Sequence, residues 1–225
     1  MSVQDHAPLV SIPAGAVRLE GVLELPPRAA GVVVFSHGSG SGRHSPRNQF
    51  VARELRSAGL GTLLLDLLTE AEDRDYEMRF DIDLLTERLA HAVRFVHGHA
   101  STRALPVGLF GASTGAASAL RVAGEMPDVV GAVVSRGGRP DLTGPRELGR
   151  VRAPTLLIVG GRDEPVIAMN QSAQEALVHC EQELVIVPGA THLFEEPGTL
   201  EEVARLARQW FVRHLARPPA RGTPG

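Results

Sequence analysis

The 225-residue chain has a single cysteine, Cys180, so no internal disulfide staples it and the fold must hold through its core, as in reduced compartments. It has no excess of basic residues: 23 lysines and arginines stand against 26 acids, which leaves no electrostatic footprint for nucleic acid or an anionic membrane surface. The N-terminus, MSVQDHAPLV, lacks the basic and apolar regions of an export signal. No apolar run approaches the roughly 18 residues that a membrane-crossing helix needs. Together these absences predict a cytoplasmic protein that acts on a small molecule, with neither nucleic acid nor membrane as partner and with room for a homodimer. Neither an internal repeat nor a linker interrupts the chain. A hydrophobic content of 43% is enough for one full core, and residues 1–217 read as a single domain. The proline- and glycine-rich end, 218–225, lacks apolar anchors and is expected to be disordered.

What is present is an alternation. LVSIP and AVRLEGVLELP, joined at Ala14-Gly15, read as a hairpin of alternating strands. AGVVVFSHG and LGTLLLD instead carry continuous apolar runs, which a strand covered on both faces requires, and LPVGLFG, VVGAVVS, PTLLIVG and ELVIVPG read as further strands. Amphipathic segments separate most of them: SPRNQFVARELRSAG, FDIDLLTERLAHAVRFVHGH, TGAASALRVAGE, NQSAQEALVHC and TLEEVARLARQWFVRHLA. Strands alternating with helices predict an α/β fold, a mainly parallel sheet with helices on both faces.

In such a sheet ligands bind beyond the carboxyl ends of the strands. There LPVGLFG runs into GASTG, Gly111 to Gly115, which matches the G-x-S-x-G elbow that exposes a serine on a strained strand-to-helix turn. Ser113 is therefore the candidate nucleophile. A serine needs a base and an acid to orient that base, and both occur in the order this arrangement demands. PTLLIVG ends in GRDEPV, with Asp163 and its neighbour Glu164, and ELVIVPG ends in ATHLF, with His192. Asp163 is preferred over Glu164 as the shorter carboxylate directly after the turn. Taken singly, Asp163 would read as a helix cap and His192 as a surface histidine; the ordered set of three favours chemistry.

A developing oxyanion needs two donors. The amide of Thr114 offers one and that of Ser39, in SHGSGSGRHS, the other. The same glycine-rich loop lacks the spacing of phosphate-cradling motifs. His37 reads as a packing and hydrogen-bonding residue. His97 and His99, at a helix end without acidic or cysteine companions, predict no metal site, and no cofactor is expected. Arg136 follows VVGAVVS directly and places a positive charge beside the candidate triad, where it suits a substrate carboxylate or pairs with Asp141. Arg43 offers a second charged contact from the glycine-rich loop.

HGSGSGRH, GASTG, GRDEP and GATHLF, in that order between Leu9 and Leu215, resemble the α/β-hydrolase superfamily and, in compactness, its dienelactone-hydrolase-related branch. The resemblance implies an eight-stranded sheet with its second strand antiparallel, and ester hydrolysis through an acyl-enzyme. Dienelactone hydrolases proper place cysteine in the elbow followed by a pair of glycines, whereas Ser113 and Gly115-Ala116 stand here, so a serine esterase is the expectation. Thioesters, lactones and small amides are the nearest alternatives, and ligand binding without turnover is the rival of another class. RGGRPDLTGPRELGRVRA, Arg136 to Ala153, is too short for a large helical cap, and the acidic LLTEAEDRDYEMRF is predicted to be a solvated loop bordering the site. An open site that prefers short acyl groups follows.

Overall fold

The computed structural model describes residues 9–215; the expectation for 218–225 lies outside them. Four strands, β3 (Val32–Ser36), β4 (Gly61–Leu65), β5 (Val107–Ala112) and β7 (Thr155–Gly160), are buried at every residue. Continuous Val and Leu runs pack this way when neither sheet face meets water. With β6 (Val130–Arg136) and β8 (Gln182–Val187) they form a parallel block. The hairpin β1 (Leu9–Ala14) and β2 (Val17–Glu24) turns at Gly15 and joins the block through an antiparallel β2–β4 pairing. The eight-stranded order is β1-β2-β4-β3-β5-β6-β7-β8, and β2 alone runs against the rest.

Seven helices flank the sheet among the described residues: α1 (Pro46–Ser57), α2 (Glu70–Asp73), α3 (Ile82–Gly98), α4 (Thr114–Glu125), α5 (Pro145–Leu148), α6 (Glu164–Ala176) and α7 (Thr199–Leu215). One core cluster gathers Val33, Phe35, Phe110 and Val134 against Val51 and Leu55 of α1 and Ala207, Trp210 and Phe211 of α7. The opposite face packs Val34, Leu109 and Val133 against α3, α4 and α6. Each buried Val, Leu or Phe side chain contributes about 1.5–3 kcal/mol relative to exposure, so two full layers hold the strand ends, and the loops on them, in fixed relation.

Two elements differ from the sequence reading. α6 starts at Glu164, six residues before the expected Asn170, because Pro165 fits the first helical turn, where an amide hydrogen is not needed. It stops at Ala176, so 177–180 turn toward β8 instead of extending the helix. The acidic segment after Asp66 is solvent-facing as expected, but it carries two short helices instead of an open loop. Thr69 and Glu72 form a capping box on α2, Glu72 reaches Arg88 of α3 at 2.9 Å, and Asp73 receives Arg79. Between β6 and β7 stand only a single turn, Pro140–Leu142, and the one-turn α5, so no large cap covers the sheet. Among the described residues no helix is long and apolar enough to cross a membrane.

Candidate active site

β5 delivers Ser113 to the rim of the sheet, where the chain reverses into α4 with Ser113 at φ 51°, ψ −121°. A non-glycine residue in this region costs on the order of 1–3 kcal/mol, a strain that persists only where surrounding packing enforces it. The flanking glycines are that packing. A Cβ on Gly111 would lie 2.5 Å from Cα of Ala116, and one on Gly115 would run into the carbonyl oxygen of Ser36 on the neighbouring strand. The amide of Ser113 donates to the carbonyl of Arg136 at 3.1 Å, and its own carbonyl accepts from Arg139 at 3.0 Å. The turn is thus bolted to the end of β6.

Asp163 and His192 arrive from the ends of β7 and β8. The His192 Nδ1 lies 2.6 Å from Asp163 Oδ2, and Nε2 lies 3.3 Å from Ser113 Oγ. A carboxylate only accepts, so it fixes the proton on Nδ1 and leaves Nε2 as a base facing the serine hydroxyl. Asp163 occupies the N-cap of α6 yet makes no capping bond, because its carboxylate is turned to the imidazole. The structure therefore brings the three sequence-predicted residues together, with Asp163 and not Glu164 against the ring. Gly137, at φ 52°, sits against His192; a Cβ there would be 3.1 Å from the His192 carbonyl and 3.5 Å from its ring.

The donor side differs from expectation. Thr114 opens α4, and its amide is among those a helix start leaves without an intrahelical acceptor. The Ser39 amide, expected to face a substrate, instead donates to Thr114 Oγ1 at 3.0 Å. The hydroxyl of the residue after the nucleophile reaches across and ties the glycine-rich loop to the elbow, a long-range contact with no local sequence signal. His37 is buried beneath that loop; its Nε2 accepts from the Leu67 amide at 2.9 Å and its Nδ1 donates to the Gly38 carbonyl at 3.0 Å. Burial depresses its pKa below the usual histidine range, against the opposing pull of the Gly38 bond, Asp66 and Asp73. At the far end of α3, His99 bonds Ser101 and stacks near Phe95.

The two arginines separate. Arg43 does not offer a free charge: its guanidinium is held by Asp66 and by Glu20 at 2.5 Å, and its amide donates to Asp66 at 2.7 Å. Arg136 is buried, and Asp141 is not its partner, being engaged by Arg139 through bonds of 2.8 and 2.7 Å. An apolar groove of about 570 Å³ lies between the Pro140–Leu142 turn, α5 and α6, lined by Pro140, Pro145, Leu148, Pro165 and Met169. Neither Ser113 nor His192 lines it.

Comparison with known proteins places the fold. Residues 19–214 match the model of the dienelactone hydrolase family. A dienelactone hydrolase from Anabaena variabilis is 54% identical with a TM-score of 0.90, over 92% of this chain and 97% of that one. An α/β serine hydrolase without lid from Xanthomonas campestris, at 21% identity, shares the fold with a TM-score of 0.74 over 96% of this chain and 99% of its own. A curated relative from Mycobacterium tuberculosis, named a putative phosphoribosyl transferase, is 54% identical over 213 residues, 95% of this chain and 48% of that protein. The chain thus spans about half the length of the curated relatives it matches.

Proposed function

The chain belongs to the dienelactone hydrolase family, and from that membership we propose that it cleaves a carboxylic ester of a small soluble substrate through an acyl-enzyme on Ser113. The observation that carries this reading is the relay from Asp163 through His192 to Ser113, at 2.6 and 3.3 Å on the open rim of the sheet. In it Ser113 Oγ attacks the ester carbonyl while His192 Nε2 takes its proton, and Asp163 stabilises the imidazolium that results. The Thr114 amide, joined by the Ser39 amide once it turns from Thr114 Oγ1, receives the oxyanion. Nε2 then protonates the departing alcohol. Water, deprotonated by the same nitrogen, releases the acid and restores the serine.

Thioesters, lactones and small amides pass through the same intermediate and are separated by substrate profile. The transferase name belongs to proteins about twice as long as this chain. Phosphoribosyl transfer would leave the Asp163–His192–Ser113 relay without a task, which favours hydrolysis here. A fluorophosphonate probe tests the proposal: labelling is expected on Ser113 and is expected to vanish in Ser113→Ala, alongside turnover of a chromogenic acetate ester. Wild-type protein that neither labels nor turns over chromogenic esters of any acyl length overturns it.

A further inference from the structure

Arg136 ends β6 with 7% of its surface exposed and, among the described residues, no carboxylate partner. A buried cation without a counter-charge is costly, by several kcal/mol even after relaxation. Its surroundings do not supply one. The Phe194 ring lies 6.0 Å from the guanidinium carbon, a favourable but uncharged contact. The charged neighbour that acts on it is Arg47, of the same sign. Arg47 sits in the first turn of α1, a helix with no acid in that turn, so the positive end of a 12-residue helix adds to the same field. The acid that meets Arg47 is Glu195, well exposed, on one nitrogen at 3.3 Å; the Arg47 Nε is buried and unpartnered. Burial and then Arg47 pull the Arg136 guanidinium down to about 10, so it stays charged at neutral pH.

The residue that carries this uncompensated charge is tied to the candidate triad through its backbone and through Phe194. The Arg136 carbonyl accepts the Ser113 amide, Gly137 packs against His192, and Phe194 follows His192 by two residues. A ligand anion here would relieve the buried charge and register a substrate against Ser113 in one contact. We infer that Arg136 anchors a carboxylate or phosphate group of the substrate, with Arg47 as a second cation at the start of α1. The inference rests on the reading of Ser113 as nucleophile and narrows its substrate class to anionic esters.

The test compares kcat/KM for mono-4-nitrophenyl adipate and 4-nitrophenyl heptanoate, esters of similar size with and without a carboxylate. Wild-type protein is expected to prefer the anionic ester, and Arg136→Met to lower the anionic-to-neutral ratio about tenfold or more, as expected for losing a charge-assisted fork. The ratio cancels any general loss of activity. Inhibition of heptanoate hydrolysis by adipate and by inorganic phosphate, with sodium chloride at equal ionic strength as control, identifies the anion: inhibition by phosphate alone assigns a phosphate, and by adipate alone a carboxylate. Should the methionine variant fail to fold, Arg136→Lys keeps the charge but loses the fork, and both inhibition constants are expected to weaken. Equal kcat/KM for the two esters without inhibition by either anion, or a wild-type preference that survives substitution of Arg136, overturns the anchor while leaving the hydrolase standing. Absence of both turnover and fluorophosphonate labelling removes the hydrolase reading itself.

Discussion

The two flanks of the candidate triad treat charge in opposite ways. On the side of the glycine-rich loop, Arg43 meets Asp66 and Glu20, Arg79 meets Asp73, and Arg88 meets Glu72, so each of these cations has its acid. On the side of β6, Arg136 is as deeply buried as Arg88 and yet has no acid among the described residues. Pairing on the first flank fixes a loop and a short helix around His37, which is architecture. A charge left unpaired on the second flank stores unfavourable energy beside the nucleophile, and a ligand can release it. The same residue type thus serves two ends, and the partner decides which.

The reference for that contrast is the relay itself. Ser113→Ala or His192→Ala is expected to reduce turnover by about four to six orders of magnitude, measured on protein free of host esterases, because members of such a unit act together. Residual activity within tenfold of wild type in either variant would leave neither flank with a reaction to serve. The next effect separates the flanks directly. Where Arg136→Met shifts the anionic-to-neutral ester ratio about tenfold, Arg43→Met is expected to leave that ratio alone. It should instead lower the melting temperature, since it strands Asp66 and opens a part-buried pair, at a cost of about 1–3 kcal/mol or roughly 2–4 °C per kcal/mol. A ratio change in Arg43→Met with an unmoved melting temperature would erase the distinction.

How far each flank could be read from sequence follows from the range of its interactions. Ser113, Asp163 and His192 were legible because each lies at the end of an apolar strand, and a parallel sheet sends all such ends to one rim. Gly111 and Gly115 were legible for a steric reason that is local to the turn. The fate of Arg43 was not, because Glu20 is 23 residues before it and Asp66 23 residues after it, joined only by sheet pairing. The helical order of the acidic stretch after Asp66 was hidden for the same reason: Arg88, which neutralises Glu72, lies 16 residues on and inside an amphipathic helix. Ser39 and Thr114, 75 residues apart, meet only through the loop and elbow packing. Local pattern reveals where a side chain starts, and tertiary contact decides whom it meets.

Neither flank supplies a long apolar wall. The 570 Å³ groove by α5 and α6 does not include Ser113 or His192, and among the described residues no cap closes over them. Extra acyl methylenes left in water forgo about 0.8 kcal/mol each, so lengthening a neutral 4-nitrophenyl ester from two to about twelve carbons should bring no sustained gain in kcat/KM, with a few-fold decline beyond roughly four to six carbons. A steady rise to the longest chain would mean that the groove takes the acyl group.

The smallest effect tests whether the paired flank is architecture, through its buried histidine. His37 Nε2 must stay unprotonated to accept the Leu67 amide; a proton there would set one N–H against another. Its folded pKa is depressed, by burial above all, while the unfolded chain takes up that proton near the ordinary value of about 6.5. Below about 6.5 the unfolded state therefore binds more protons than the folded one, and by linkage stability falls as pH falls, by at most about 1.4 kcal/mol per unit from this group. The contribution is present in full above about 6.5 and is lost as pH drops toward the folded value. His37→Gln removes the titration, so it should lower the melting temperature at neutral pH yet narrow its gap to wild type between pH 7 and 5, by roughly 2–4 °C per kcal/mol. Thermal melts across that range decide the matter. Parallel curves for the two proteins would show that His37 takes no part in acid lability and that the loop is held by its ion pairs alone.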